Sequence, residues 1–311
     1  MNILITGILG FVGSNLVQDL KNSHTIYGLD LRSPQIEGVE SIFLWNELDK
    51  LPAIDVIIHL AGKAHDIKNQ SVAQEYSEIN TGLTQTIYDW FLQSSTLKFI
   101  FFSSVKAAAD KVEGDALTEE VIPDPKGPYG ESKIAAENYI LANQQKQNYK
   151  FFYILRPCMI HGPGNKGNFN LLYHLVNKGI PYPLGSFENN RSFTSIDNLS
   201  FVIDQLITKN IPSGIYNMAD DESLSTNDLI ALMCKTMNKP NRIWYWNKSI
   251  VRSFAKIGGA FHLPLDTERL QKLTENYLVS NKKLKTALSI SKMPLTAKEG
   301  FVKTIKSFGK K

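Results

Sequence analysis

The chain opens Asn2-Ile3-Leu4-Ile5-Thr6-Gly7-Ile8-Leu9-Gly10-Phe11-Val12-Gly13-Ser14. Asn2–Thr6 is a short apolar run without polar alternation, the pattern of a parallel strand covered on both faces. It runs straight into Gly7, Gly10 and Gly13, and residues 14–20 then carry helical periodicity. Strand, glycine turn and helix in this order give a glycine motif its meaning. Glycine permits the tight turn and a close backbone approach, and the helix N-terminus offers unpaired N–H groups to a pyrophosphate. The spacing is G-x-x-G-x-x-G rather than G-x-G-x-x-G, so the stretch alone is also readable as a tight turn that needs glycine.

The same alternation continues outward. Residues 25–29 form a second strand ending at Asp30, roughly twenty residues beyond the glycine turn, where an acidic side chain binds adenosine ribose hydroxyls. A carboxylate there repels a 2′-phosphate, so Asp30 favours NAD(H) over NADP(H), while Arg32 acts in the opposite sense. Residues 55–62 form another buried strand. It ends in Leu60-Ala61-Gly62, small enough for a cofactor to pass close above, and His59 within it reads as a packed histidine. Residues 73–92 look helical and carry Asn80. Residues 98–104 form the next strand, with Ser103 and Ser104 at its C-terminal edge, where open parallel sheets bind ligands. Residues 105–128 read as a loop with Pro123, Pro125 and Pro128.

That loop delivers Tyr129-Gly130-Glu131-Ser132-Lys133. On a helix, residues four apart lie on one face. A phenol with a pKa near ~10 is a poor base at neutral pH. A neighbouring ammonium favours the phenolate and brings the phenol toward a pKa at which it can exchange a proton with a sugar hydroxyl. Beyond it, residues 151–155 form a strand capped by Arg156-Pro157, and the turn His161-Gly162-Pro163-Gly164 marks a boundary. Residues 1–163 are expected to form the nucleotide-binding domain, its sheet completed by residues 190–220. Residues 164–189 and 221–311 are expected to form the substrate lobe.

Composition sets outer limits. The 311 residues suffice for one large domain or a domain with a smaller lobe. A net charge of +4 is compatible with a phosphate-bearing substrate and far from the basic stripe of a nucleic-acid binder. Cys158 and Cys234 have no metal-like spacing and suggest no disulfide framework, which fits a reducing compartment. No apolar run reaches the ~18 residues of a membrane span, and the N-terminus lacks signal-peptide features. A cytoplasmic protein without metal, nucleic acid or stable membrane insertion is expected.

In this order the pieces resemble an extended short-chain dehydrogenase/reductase of the NAD-dependent epimerase/dehydratase family, over essentially the whole chain. The carriers are the three glycines, Asp30, the 59–62 strand end, Asn80, Ser103-Ser104, Tyr129/Lys133, Arg156-Pro157 and Arg191. The resemblance implies an α/β fold: a doubly wound parallel Rossmann sheet with a smaller, mostly helical C-terminal substrate lobe. It implies NAD, with NADP as the alternative, held by Gly7, Gly10, Phe11, Val12, Gly13, Asp30, Leu60, Ala61, Gly62, Tyr129, Lys133 and Pro157. By the same resemblance Ser104 is the catalytic hydroxyl, Tyr129 the acid/base, and Lys133 the residue that holds the nicotinamide ribose and tunes the phenol. Arg191 matches an arginine that grips a substrate diphosphate, and Asn168 or Asn170 a substrate-contacting asparagine. A homodimer is implied as well.

Departures from the family narrow the reaction. Nucleotide-sugar 4,6-dehydratases carry an acidic pair after the catalytic hydroxyl, and Val105-Lys106 stands there. Many 4-epimerases carry Val-Tyr-Gly shortly after the serine, and Ala107-Ala108-Ala109 stands there. The acidic residue expected to contact adenine after the third strand is replaced by Leu44-Trp45-Asn46. The favoured reading is 4-epimerisation of a UDP-hexose. A 4-ketoreductase of a 4-keto-6-deoxy UDP-N-acetylhexosamine is the alternative, and a non-catalytic NAD-sensing scaffold on the same fold a third.

Overall fold

The computed structural model describes residues 1–63, 73–144, 149–165, 169–260 and 267–309. Its strands are β1 (Asn2–Thr6), β2 (Thr25–Asp30), β3 (Ser41–Leu44), β4 (Val56–His59), β5 (Lys98–Phe102), β6 (Phe151–Pro157), β7 (Met159–His161), β8 (Phe193–Ser195) and β9 (Gly214–Met218). Seven of them form one sheet in the order β3-β2-β1-β4-β5-β6-β9, and β7 pairs with β8 separately. Every pairing is parallel. The chain winds outward from β1 through β2 to β3, then returns to the other side of β1 with β4. A crevice opens above the C-terminal ends of the strands at such a reversal.

The apolar runs form strands because both faces of the sheet are covered. Ile3, Ile5 and Ile58 turn toward helices Phe11–Leu20 and Ile196–Thr208; Leu4, Ile57, Phe99 and Phe101 turn the other way, toward Leu83–Gln93 and Pro128–Asn143. Each such side chain contributes about 1.5–3 kcal/mol through its burial. A second core lies in the lobe, where Phe169–Asn177, Thr226–Thr236, Lys248–Ala260 and Ala297–Phe308 pack through Phe169, Met233, Val251 and Phe301. Helices Thr226–Thr236 and Ala297–Phe308 both start at full capping boxes, Ser225 with Asp228 and Thr296 with Glu299.

Two local features differ from the sequence reading. The helical pattern over residues 73–92 is interrupted by a π-helical turn, Ser77–Gly82, a distortion often found at functional sites. Residues 105–108, expected within a loop, form a short helix because the Ser104 side chain accepts from the Lys106 N–H at 3.2 Å and caps it.

His59 is a packed histidine with a defined tautomer. Thr84 Oγ donates to the Asn80 carbonyl (2.6 Å) and therefore accepts from His59 Nε2 (2.9 Å). Nδ1 is then the acceptor for the Thr6 hydroxyl (2.6 Å), which itself accepts from the Ala61 N–H (3.1 Å). Burial, reinforced by the nearby Lys133 charge, pushes the imidazole pKa down to about 3. The unfolded chain therefore takes up a proton below the ordinary histidine pKa that the folded chain refuses. Stability should fall as pH drops from about 6.5 toward 3, by up to about 1.4 kcal/mol per pH unit from this group. Urea denaturation of wild type and His59→Gln across that window should give a shallower pH slope for the variant; equal slopes would remove His59 from the account.

Candidate active site

The C-terminal ends of β1, β4, β5 and β6 border a cavity of about 470 Å³ that also reaches into the lobe. On one wall, Gly7 turns the chain out of β1 with φ +68°, and a Cβ there would meet Ala61 Cα and N at 2.9 Å. Helix Phe11–Leu20 then begins at Gly10 with no side-chain cap and no acidic residue in its first turn. An uncapped helix start facing a cavity fits the phosphates of a dinucleotide. Asp30, at the end of β2, is fixed beside this turn: Leu9 N–H (3.0 Å) and Leu31 N–H (2.7 Å) each donate to one of its carboxylate oxygens. Two oxygens held in place with lone pairs to spare suit ribose hydroxyls.

Gly13 is where the turn is tightest. A Cβ there would lie 2.6 Å from the Ile8 carbonyl oxygen, a backbone atom that cannot rotate away. Gly13→Ala should force the helix off the turn, costing about 1–3 kcal/mol of stability and at least tenfold in NAD affinity. Calorimetric titration and urea denaturation check this, and unaltered affinity would contradict the role given to the turn.

Helix Pro128–Asn143 presents Tyr129 and Lys133 to the same cavity, one turn apart. Ser104, at the end of β5, lines the cavity beside the half-buried Tyr129 phenol. Burial pushes that phenol's pKa up, and the Ser104 hydroxyl opposes it. Lys133 is fully enclosed: its ammonium donates to the Phe102 carbonyl at 2.8 Å and stands 5.0 Å from the Phe101 ring centroid. Burial pushes its pKa down to about 8, against the charge of Glu137, so the ammonium is cationic at neutral pH. Asn80, on the π-helical turn, accepts from Lys63 N–H (2.7 Å) and donates to Ser132 Oγ (2.9 Å), tying the end of β4 to the Tyr129 helix.

Beneath these groups lies a network that the sequence reading did not find. Glu137 accepts from Arg156 Nε (2.9 Å) and Nη2 (2.5 Å) and from the Ser103 hydroxyl. Both charged side chains are buried. A cation within an otherwise apolar strand requires a partner, and Glu137 falls on the helix four residues after Lys133; together those facts were the available signal.

The cavity gathers most of the sequence-predicted set: Gly7, Gly10, Phe11, Val12, Gly13, Leu60, Gly62, Ser104, Tyr129, Lys133, Pro157 and Arg191. Ala61 is buried against Gly7 rather than on the cavity wall. Asn170 turns away, donating to the Asn165 carbonyl at 2.7 Å, while Asn165 itself borders the cavity. Asn168 lies outside the described residues. Arg191 lies just before β8, half-buried and 3.6 Å from Glu275. Tyr277 also lines the cavity, its hydroxyl donating to the Ala109 carbonyl at 2.6 Å, with Lys106 Nζ 4.6 Å from the ring centroid. No motif surrounds Tyr277; only the fold brings it here.

The NAD dependent epimerase/dehydratase family matches residues 3–219. The match spans most of the chain, and the protein belongs to that family; its cofactor is NAD. Among individual relatives, UDP-glucose 4-epimerase of Vibrio cholerae is 30% identical over 328 aligned residues, covering 99% of this chain and 95% of that one. N-acetyl-alpha-D-glucosaminyl-diphospho-ditrans,octacis-undecaprenol 4-epimerase of Escherichia coli O157:H7 is 28% identical, over 76% of this chain and 73% of that one. The solved UDP-N-acetylglucosamine 4-epimerase from Bacillus cereus superposes with a TM-score of 0.79 at 19% identity, covering 100% of both chains. That superposition speaks for the fold: a doubly wound Rossmann sheet with a helical C-terminal region.

Proposed function

We propose that the protein is an NAD-dependent epimerase acting at C4 of a UDP-linked hexose. The observation that carries this reading is the single cavity in which Ser104, Tyr129 and Lys133 stand against the uncapped glycine turn, with Arg191 on its wall. The relationship to a UDP-glucose 4-epimerase along nearly the whole chain supports it. Gly7, Gly10, Gly13, Asp30 and Lys133 would hold NAD, which when bound accepts and returns hydride at C4. Tyr129 takes the 4-hydroxyl proton as the carbonyl forms and gives it back as the carbonyl is reduced. Ser104 donates a hydrogen bond to the same oxygen and limits the cost of charge developing there. Lys133 keeps a positive charge one turn below the phenol, favouring its ionised form. Arg191 offers a planar fork to the substrate diphosphate, exchanging its ion pair with Glu275 for charge-assisted hydrogen bonds.

A 4-ketoreductase is the second reading, favoured by the buried Ala107-Ala108 where many 4-epimerases carry Val-Tyr-Gly. The two readings differ in how long the cofactor must stay. An epimerase returns its hydride and is expected to purify with near-stoichiometric NAD; a reductase exchanges cofactor every turnover and should purify empty. Nicotinamide released from denatured protein, quantified by chromatography, decides between them.

A further inference from the structure

Between Asp228 and Asp266 the sequence holds six basic residues, Lys235, Lys239, Arg242, Lys248, Arg252 and Lys256, and no acidic one, although the whole chain has 34 Lys and Arg against 30 Asp and Glu. The structure concentrates half of them on one helix. Lys248, Arg252 and Lys256 are four residues apart along Lys248–Ala260, which is anchored to the lobe by Val251 and Ala255. These three side chains flank a groove of about 380 Å³ opposite Leu270 and Gln271, with Phe187 and Glu188 also on its wall.

The other exposed flank of that helix is apolar. Ile250 and Phe254 are 53% and 56% exposed, and Trp244, Tyr245 and Trp246 just before the helix are 50%, 69% and 43% exposed. These rings are not on a loose loop. Tyr182 N–H donates to the Arg242 carbonyl (2.9 Å), Trp244 N–H to the Tyr182 carbonyl (2.8 Å) and Gly185 N–H to the Trp244 carbonyl (3.0 Å). The two indoles stack with centroids 6.3 Å apart. The lobe therefore holds five large apolar side chains in water beside a cluster of cations.

Each component points to the same partner. Tryptophan and tyrosine prefer the headgroup layer, where an apolar ring and a polar edge are both satisfied. Aliphatic and phenyl side chains gain by entering the acyl boundary, and lysine and arginine are attracted to anionic headgroups. A second copy of this face would set cations against cations, and a nucleic acid would gain nothing from Ile250 and Phe254.

We propose that this face, Trp244 to Lys256, docks on the surface of an anionic lipid bilayer as a peripheral contact. No helix among the described residues is long and apolar enough to cross a membrane, so the contact is with the surface. It stands independently of which sugar the enzyme converts.

Flotation of the full chain with vesicles tests the proposal. Vesicles of equal parts phosphatidylcholine and phosphatidylglycerol should carry the protein at low salt and release it at high salt, because exposed charges are screened there. Phosphatidylcholine alone should carry little. The triple variant Lys248→Gln, Arg252→Gln, Lys256→Gln should partition about a hundredfold less, at roughly fivefold per basic side chain. The pair Trp246→Ser and Phe254→Ser should also lose vesicle binding, with NAD binding and thermal unfolding unchanged as proof of folding. Failure to float with anionic vesicles, equal binding to both compositions, or wild-type binding by both variants would overturn it. So would a dimer in sedimentation that Trp246→Ser converts to monomer, since the face would then be an interface between copies.

Discussion

Tyr129→Phe is expected to lower turnover about 10²- to 10⁴-fold, the usual contribution of a positioned acid/base, while NAD affinity and thermal stability stay near wild type. Tyr129 shares its cavity with Ser104 and Lys133. Phenylalanine keeps the ring, which meets Tyr76 edge-on at 6.3 Å between centroids, and removes only the oxygen that exchanges a proton. Steady-state kinetics beside calorimetric titration with NAD separate these effects. A near-wild-type rate would assign the acid/base elsewhere.

The second large effect concerns a residue that never meets substrate. Glu137→Gln keeps the shape of the buried side chain and removes its charge, leaving the Arg156 guanidinium unpaired at 1% exposure. Breaking one side of such a pair costs about 3–5 kcal/mol, and urea denaturation should show it. A separate readout distinguishes tuning from scaffolding. Burial holds the Lys133 pKa down to about 8 and the charge of Glu137 opposes that shift. Since Lys133 works as an ammonium, the rate should decline as pH rises through about 8 in the wild type. In Glu137→Gln the opposing charge is gone, so this alkaline limb should move to lower pH. An unmoved limb in a destabilised but folded variant would make Glu137 purely structural.

The features legible in the sequence are those whose causes are local. The unalternating run Asn2–Thr6 has to be buried on both faces, and the glycines after it need close approach or positive φ. Tyr129 and Lys133 meet through helical spacing alone. The short helix at Val105–Ala108 was not anticipated because it depends on Ser104 capping it, a choice settled where β5 ends. The π-helical turn at Ser77–Gly82 was hidden for a related reason. Asn80 is bound to Lys63 and Ser132, and those tertiary bonds, rather than the helical periodicity of residues 73–92, hold it in place. Tyr277 comes to the cavity, and Glu275 to Arg191, from far along the chain, in a lysine-rich stretch without a motif. The direction in which Asn170 turns is set by the Asn165 carbonyl, which nothing in the sequence fixes in advance.

The central claim is epimerisation at C4 with the cofactor retained, and proton NMR of a UDP-sugar incubated with the protein tests it most directly. With UDP-glucose and UDP-N-acetylglucosamine supplied separately, at least one should convert to a mixture with its 4-epimer. No NADH should accumulate, and no reductant should need to be added. Failure to form a 4-epimer from either, coupled with NADH or NADPH consumption on a 4-keto-6-deoxy UDP-sugar, would contradict the account and make the protein a reductase.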